Sequence, residues 1–316
     1  MIWLHIIQYS GFFLAQITNS ILVYLILTRA EKLFGTYRHV MCTFAMYSLV
    51  YAWIEVFTQP VMHIKGPCFI VFMNSPLKYH SWIGNIITCL YCGSFALVIS
   101  LLAAQFFYRY VALCRPELHS KIEGFKLIYI FIPCLICFVL WFAFVYYGMA
   151  NTPEKQIYMK EELETYYGED STRVAFIAPM YWSVGEDGKK DWKIKELIGS
   201  GGCACIIAIC FSTILFCASS IYFTMKSAQS HLSTKTLELN RQLFVTLTFQ
   251  TVLPFLMMYS PVGLLITLPL FEVYIGSIAN IVPASAALYP ALEPLIAMFC
   301  IKDFRKFILY ISPEWR

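Results

Sequence analysis

Charged side chains are scarce in this sequence, in which Asp, Glu, Lys and Arg together make up only 13% of 316 residues. A soluble domain carries about twice that share, which argues against a water-exposed globular fold. Several apolar runs of roughly 20 residues contain no Lys or Arg, and each is long enough to cross a hydrocarbon core at ~1.5 Å per residue. The chain is therefore predicted to be an integral membrane protein.

The sequence also lacks the residue patterns of enzymes and metal proteins. Its six His lie in predicted loops or near span ends, and no Cys-x-x-Cys pair has His partners, so no catalytic set, metal or cofactor is predicted. Most of the twelve Cys lie inside apolar runs, where a thiol behaves as a small hydrophobe. Nothing in the composition supports binding to nucleic acid.

Seven apolar spans are predicted, at residues 6–27, 40–62, 82–107, 127–147, 197–223, 242–265 and 273–300. The predicted fold class is an all-α membrane protein, a single seven-helix bundle over residues 1–316. The long loop 148–196 is predicted either to fold over the outer mouth or to be a solvated insertion. In the tail, 301–316, one apolar helical face (Phe304, Phe307, Ile308 and Ile311) is backed by cations, which predicts a short amphipathic helix on the inner leaflet of the lipid bilayer.

The distribution of Lys and Arg predicts the orientation of the bundle. With the N-terminus outside, fourteen lie in inner segments and nine in outer segments. Seven of those nine belong to the single loop 148–196, where distance from the helix ends weakens their effect. The positive-inside rule therefore places the N-terminus outside and the C-terminal tail in the cytoplasm.

Polar residues in the outer half of the spans are candidates for ligand binding. Placing an ionisable side chain at the centre of a span costs about 2.5–3.5 kcal/mol of insertion free energy, so the presence of Glu55 in span two indicates a structural or functional role. It lies where a ligand from outside would be met, although a structural bond to a neighbouring helix is at least as consistent with its position. The candidates are Glu55, Asn85, Tyr91, Tyr259, Tyr274 and Asn280, with Gln250 deeper.

A second group of polar residues lies in the inner half. Glu293 in span seven and Asn19 in span one are both ~11 Å above the inner boundary, and a hydrogen bond between them is predicted because these helices are neighbours in a closed bundle. Tyr289 and Pro290 precede Glu293, and Pro290 and Pro294 remove backbone donors. This segment is either a moving part or a static, locally satisfied site.

The inner end of span three carries a cation, Arg109, between Tyr108 and Tyr110, and Pro254 gives span six a kink point at mid-depth. Receptors use such a pair to open an inner cleft. Taken alone, Arg109 is equally consistent with an ordinary positive-inside residue.

These motifs resemble the nematode seven-helix chemoreceptors of the Str (serpentine receptor class r) family, over nearly the whole chain. The resemblance rests on Tyr37-Arg38 with Met41, Glu55 with Gln59-Pro60, Phe106 to Tyr110 with Cys114-Arg115-Pro116, the stretch 237–261, and Leu288 to Leu295 followed by Ile301 to Arg305. The sequence departs from the family pattern at Glu293, where the family usually has Asp. Unlike rhodopsin-like receptors, the chain has Tyr108 in place of the acid before Arg109.

The resemblance implies a chemosensory, olfactory-type receptor in the plasma membrane of a sensory cilium. It implies a heterotrimeric G protein as partner but does not identify the odorant. Apolar spans with a few hydroxyls and carboxamides favour a small, weakly polar molecule bound from outside. The residues assigned to G-protein coupling and activation are Tyr108, Arg109, Arg115, Pro254, Tyr289, Pro290, Glu293 and Asn19.

Two other membrane functions are weighed against the receptor. A ligand-gated cation channel of the insect-odorant-receptor type has its N-terminus inside, against the Lys and Arg distribution. A small-molecule transporter would often show internal repeats, and none is evident.

Cys68 is the only Cys in a predicted outer loop. It is predicted to pair with Cys203 or Cys89, because an outward-facing thiol meets an oxidising environment.

Overall fold

The computed structural model describes residues 1–29, 34–122, 124–185, 187–227 and 234–310. Within them, seven helices are long and apolar enough to cross a membrane, which confirms the predicted fold class. Spans one to five are Ile2–Arg29, Tyr37–Thr58, Ser81–Cys114, Ile128–Gly148 and Ile194–Ser227. Span six combines Thr234–Pro254, a π-helical turn Phe255–Tyr259 and Ser260–Thr267, and span seven is Ile281–Cys300.

The spans form a closed bundle in which span one packs on both span two and span seven. Span three lies at the centre, in contact with spans two, four, five and six. Spans one and seven approach so closely that a Cβ built on Gly11 would lie 2.3 Å from the carbonyl oxygen of Ala287. Glycine is therefore required at position 11 for this helix pair.

The N-terminus and the strands share one end of the bundle, called here the sheet end; the opposite end, with the C-terminal helix, is the tail end. Span two ends at Thr58, four residues before the predicted boundary, because Gln59 is left-handed (φ 44°) and Pro60 disfavours a helical residue before it. The chain then forms the antiparallel hairpin β1 (Pro60–Lys65) and β2 (Cys68–Met73), and β3 (Phe176–Ile177) pairs with β2.

The segment 148–196 covers this sheet. Thr152 accepts a hydrogen bond from the Lys155 amide and begins the loop helix, Pro153–Tyr167, which ends at the left-handed Gly168. The loop helix packs Met159 and Leu163 on the outward face of the sheet, where both are fully buried. β4 (Trp182–Val184) and β5 (Lys190–Trp192) follow as a small hairpin. We call β1, β2, β3 and the loop helix the roof.

The remaining short elements connect the spans. They are the 3-10 turns Pro76–Tyr79, Gly124–Leu127, Leu268–Phe271 and Ser277–Asn280, and the single helical turn Pro116–His119. The tail helix, Lys302–Tyr310, directs Phe304 into the bundle, where its ring lies 6.2 Å from that of Phe34. Ile311 and the rest of the predicted tail lie outside the described residues.

The predicted disulfide of Cys68 is contradicted by the structure, in which Cys68, Cys89 and Cys203 are all free thiols. Cys68 packs in the core of the roof with residues such as Val61 and Phe72, whereas Cys89 and Cys203 belong to the separate core of the bundle. The side chain of Cys68 therefore faces away from both predicted partners.

Candidate functional site

A closed cavity of about 40 Å³ lies inside the bundle, directly beneath the roof. Residues of β1, β2 and the β3 segment form its ceiling, and spans three to six form its walls. Its lining consists of Met62, Phe69, Val71, Tyr91, Cys92, Phe95, Trp141, Met149, Ile177, Pro179, Cys203, Val262 and Ile266. Its mostly apolar lining with few polar groups is typical of a small-molecule site, and at this volume the cavity must expand to hold a ligand of more than a few heavy atoms.

Tyr91 brings an unpartnered polar group to the wall of the cavity, and two further unpartnered groups belong to residues outside its lining. The hydroxyl of Tyr91 is buried and has no hydrogen-bond partner among the described residues, and the same holds for the hydroxyl of Tyr51. The two rings stack with centroids 6.4 Å apart, and Phe95 packs edge-on against both. Glu55 lies one turn beyond Tyr51 on the same helix face, and its Oε1 is also unpartnered. A ligand with a hydrogen-bonding group would satisfy donors or acceptors that are otherwise costly to bury.

The other predicted ligand residues have different positions. Tyr259 is buried beside the cavity and donates its hydroxyl to the carbonyl oxygen of Phe95 at 2.9 Å, which joins span six to span three. Asn280 supports the roof, because its Oδ1 accepts from the Met62 amide at 2.9 Å. Tyr274 is exposed on the loop before span seven, and Gln250 lies deeper, bonded to Glu293. Asn85 is on span three but does not line the cavity, and its Oδ1 is unpartnered.

A buried polar network joins the roof to the loop before span seven. The ring of His63 is fully buried, with Nε2 2.9 Å from a carboxylate oxygen of Glu162 and Nδ1 3.0 Å from the hydroxyl of Tyr167. Tyr274 donates to the same carboxylate oxygen at 3.2 Å. Burial lowers the pKa of His63, and the hydrogen bond that its ring donates to Glu162 opposes that shift. Burial also raises the pKa of Tyr167 to about 12.

Span six is interrupted beside the cavity. Pro254 is followed by the π-helical turn Phe255–Tyr259, and Pro261 lies two residues after the end of that turn. In a continuous α-helix the amide of residue 261 would bond the Met257 carbonyl, but proline has no N–H to donate. The hydroxyl of Ser285 in span seven lies 2.6 Å from that carbonyl oxygen and donates to it instead.

At the tail end, Arg109 points into the bundle and not into solvent. It is 9% exposed, its guanidinium donates to the Oδ1 of Asn240 in span six, and it lies 5.3 Å from the ring centroid of Tyr37. Tyr37 stacks on Tyr108 at 5.6 Å. Arg115 is exposed and donates to the hydroxyl of Tyr110 at 3.2 Å. The side-chain amide of Asn240 in span six thus bonds Arg109, whereas in rhodopsin-like receptors an acid directly before the Arg would pair with it.

The predicted hydrogen bond between Asn19 and Glu293 is not formed in the structure. Asn19 donates to the carbonyl oxygen of Pro290 at 2.7 Å, and Glu293 accepts from the amide of Gln250 in span six. Pro294 explains the first contact, because it lacks the N–H that would otherwise bond the Pro290 carbonyl. Sequence reasoning paired the two polar side chains and overlooked the backbone acceptor. The hydroxyl of Tyr289 is buried and unpartnered.

A third contact holds the tail end of span six. Lys302, at the start of the tail helix, forms an ion pair with Glu238 at 2.6 Å, and its amide donates to Gln242 Oε1 at 3.0 Å. Span six is therefore bonded to span three through Arg109, to span seven through Glu293 and to the tail helix through Lys302. Each bond opposes an outward movement of its tail end.

Most residues that line the cavity were missed by sequence reasoning. Trp141, Cys203 and Val262 are apolar residues in apolar helices, so their types do not distinguish them from side chains that face lipid. The ceiling was predictable in part, because 60–73 is rich in β-branched and aromatic residues around a Gly66-Pro67 turn, which is typical of a hairpin.

A second, larger hollow of about 330 Å³ lies nearer the tail end, between spans three, four and five. Its lining includes Phe107 and Tyr129, which are exposed on the outer surface of the bundle, so it opens sideways to the bilayer. A membrane protein fills such a surface hollow with lipid chains. The cavity beneath the roof is the better candidate for a specific site.

The chain matches the family model described as serpentine type 7TM GPCR chemoreceptor Str over residues 4–309. It is 30% identical to the serpentine receptor class r-10 of Caenorhabditis briggsae over 314 residues, 96% of this chain and 90% of that protein. The Caenorhabditis elegans protein of the same name is 30% identical over 301 residues, with 94% and 87% covered. The G-protein coupled receptor str-33 of Caenorhabditis elegans is 27% identical over 300 residues, with 93% and 86% covered. The similarity thus extends through all seven spans.

Proposed function

Because the chain belongs to the Str family of serpentine seven-transmembrane chemoreceptors, which are G-protein-coupled receptors, we propose that the cavity beneath its roof binds the chemosensory ligand. The observation that carries this proposal is the buried, unpartnered hydroxyl of Tyr91 in an otherwise apolar, enclosed space. The ligand is a small, weakly polar odorant: one hydrogen-bonding group meets Tyr91, and an apolar remainder packs on residues such as Trp141.

The protein is oriented with the sheet end outside the cell. The Lys and Arg distribution supports this orientation, and it places the roof and the cavity on the side from which an external chemical would come. The tail end then meets the heterotrimeric G protein in the cytoplasm. The proposed site of action is the plasma membrane, specifically the sensory cilium of a chemosensory neuron.

Span six transmits the signal. Its π-helical turn lies beside the cavity, at Tyr259, and its tail end is held by Arg109, Glu293 and Lys302. A ligand that displaces Tyr259 or Val262 would shift the segment beyond the turn and weaken these bonds. The tail end of span six then moves outward and frees Arg109, which can cap the negative end of a helix of the G protein.

The test is ligand-dependent nucleotide exchange on a G protein in cells expressing the receptor, screened with small volatile alcohols, ketones and esters. For any activating compound, Tyr91→Phe should raise the half-maximal concentration about tenfold, since a hydrogen bond of about 1.4 kcal/mol is lost while ring packing is retained. Tyr129→Phe, which removes a hydroxyl from the lipid-facing surface, is the matched control. A Tyr91→Phe receptor with unchanged sensitivity to every activating compound would exclude this cavity as the site.

The same cells distinguish the channel alternative. A receptor response requires the G protein and disappears when nucleotide exchange is blocked. Ligand-gated current that persists under that block would assign the chain to the channel class instead.

A further inference from the structure

Two layers of protein separate the cavity from solvent at the sheet end. The ceiling residues Met62, Phe69, Val71 and Ile177 are each at most 5% exposed. The loop helix and its contacts bury the opposite face of the same strands, so neither face of the sheet above the cavity is exposed to water. A ligand in water meets no opening in this surface.

The roof and the segment directly after β3 are bonded around their edge to spans one, five and six and to residues that flank spans four and seven. Gln8 of span one donates to the Pro60 carbonyl, and Asn280, just before span seven, accepts from the Met62 amide. The Ala178 amide donates to the carbonyl of Met149, which follows span four. The Tyr181 hydroxyl bonds Ser200 in span five and the Ile266 carbonyl in span six. A buried ion pair between Lys155 and Glu196, 2.7 Å apart, adds a further link to span five. Lifting the roof would break several of these buried contacts together.

The lining residues that are partly exposed at the protein surface belong to the spans and not to the roof. Of the lining residues, Cys92 and Ile266 alone are not fully buried, and both belong to spans. Ile266 lies in the last turn of span six, facing the seam with span five. That seam is closed lower down by Phe211, whose ring lies 5.5 Å from Phe255 and 5.6 Å from Tyr259.

Space is open beside span six one turn before Ile266, next to a natural hinge. A Cβ built on Gly263, one turn before Ile266, would meet no atom within 4 Å. Below it, the π-helical turn and Pro261 interrupt the backbone bonds of span six, so that Ser260–Thr267 can tilt with little loss of helix structure. A small tilt would open the cavity to the bilayer and would break only one of the bonds named above, that of Tyr181 to the Ile266 carbonyl.

We propose that the ligand enters the cavity from the bilayer, past Ile266 between spans five and six, and that it is therefore an uncharged, lipid-partitioning molecule. This inference rests on the proposed function, because it concerns the route to the same cavity. A charged or strongly hydrated compound would be excluded at the entrance, before the cavity could select it.

A single substitution can prevent the hairpin from separating from the 148–196 segment, and a roof linked in this way is called locked. Cys68 in β2 lies opposite Met180 in an antiparallel bridge, and directly opposed residues have Cα atoms about 4.5–5.5 Å apart, which suits a disulfide. Met180→Cys therefore allows the hairpin to be linked to the 148–196 segment. Burial raises the pKa of the Cys68 thiol to about 12, so copper-phenanthroline is added as oxidant and dithiothreitol reverses the bond. Met180→Ser is the control that cannot form it.

The probe is a hexanol carrying an alkyl diazirine, which partitions into lipid and labels its surroundings on illumination. Full-length receptor in liposomes is labelled for increasing times, and the labelled residues are identified by mass spectrometry. We expect labelling of Cys92, Val262 and Ile266 at the same rate with the roof locked or unlocked. Ile266→Trp should slow cavity labelling about tenfold by filling the entrance, whereas Leu264→Trp, on the lipid-facing side of the same turn, should not.

Labelling that stops when the roof is locked would overturn the proposal in favour of entry through the roof. An unlabelled cavity in every receptor, or an Ile266→Trp variant that labels as fast as Leu264→Trp, would also overturn it. If Ile266→Trp does not fold, the locked-roof comparison still decides. A cavity that is labelled as expected in a receptor that activates no G protein would instead refute the proposed function and leave the route standing.

Discussion

Arg109 is held by neutral groups: the amide oxygen of Asn240 and the ring of Tyr37. No carboxylate among the described residues pairs with this buried guanidinium, so its charge stays available for another protein. The contact with Asn240 also spans the gap between spans three and six. Under the proposed function, Arg109 restrains the resting state and offers a cation to the G protein once span six has moved.

We predict that Arg109→Ala abolishes G-protein activation while surface delivery and ligand binding persist. Asn240→Ala, which removes the restraint and keeps the cation, should raise basal nucleotide exchange about fivefold, because losing about 1 kcal/mol shifts the equilibrium by that factor. Both are measured by nucleotide exchange at matched surface expression. Signalling by Arg109→Ala at wild-type levels would show that the residue has no role in coupling.

Glu293 is completely buried, and no Lys or Arg in the described part of the chain forms an ion pair with it. Its carboxyl group accepts a hydrogen bond from the side-chain amide of Gln250, and a neutral side chain with an oxygen can accept the same bond. We therefore predict that Glu293→Gln stays within about twofold of wild type in basal activity and ligand sensitivity, and that Glu293→Asp is tolerated. Glu293→Leu should change basal activity more, because the link to span six is lost. Equal losses in the Gln and Leu variants would show that the negative charge itself is required.

At the scale of elements, the two kinked helices share one principle. Proline removes a backbone donor, and a side chain from a neighbouring helix satisfies the carbonyl that is left: Asn19 for Pro290 in span seven, and Ser285 for Met257 in span six. Each kink is thereby stabilised and also coupled to the helix beside it. In the apolar interior of a membrane no water would replace either bond.

Ser285→Ala is predicted to destabilise the receptor by about 1–3 kcal/mol, because it leaves the Met257 carbonyl unsatisfied. Ser285→Thr keeps the hydroxyl and should remain close to wild type. Thermal unfolding of the purified receptor in detergent compares the three. Equal stability of Ser285→Ala and Ser285→Thr would mean that the carbonyl finds another donor.

The roof is predicted to loosen in acid through His63. Its folded pKa is lowered by burial, so the unfolded segment binds the proton more readily than the folded one. Stability is complete above a pH of about 6.5 and falls as the pH drops below that value. The groups that face the ring are Glu162, Lys65, Tyr166, Tyr167 and Tyr274.

The measurement is hydrogen exchange of the β1 amides at pH 7.5 and 5.5, corrected for the intrinsic pH dependence. Opening of β1 should become more frequent at the lower pH in wild type and change little in His63→Gln, which keeps a polar group but cannot take up a proton. A pH response of the same size in both proteins would assign it to Glu162 or another carboxylate.

For the whole molecule, orientation is the property on which the proposed roles of both ends depend. We predict that a fluorescent protein fused to the N-terminus is destroyed by protease added outside intact cells, and that one fused to the C-terminus is protected. The reason is the excess of Lys and Arg in the segments at the tail end. The reverse pattern would place the roof in the cytoplasm and remove the basis for the proposed ligand site.

The fold class could be predicted from the order and length of the apolar runs along the sequence. In lipid each spanning segment must satisfy its own backbone, so a run such as 127–147 is a helix whatever its neighbours are, and the number of spans follows from their lengths. The end of span two was misplaced, because Val61 and Met62 are as apolar as the helix before them. Tyr91, chosen as a ligand-binding candidate by its depth and type, lines the cavity, and its role in binding stays a prediction.

The site itself depended on the tertiary structure, for two physical reasons. Apolar residues such as Trp141 and Cys203 face a cavity or face lipid according to the rotation of the helix, and one residue along the chain changes that direction by about 100°. The partners of Asn19 and Glu293 depended on backbone carbonyls and on span six, which side-chain patterns do not report. Depth in the membrane was determined by the sequence alone, whereas direction around each helix was decided only when seven helices and a roof packed together.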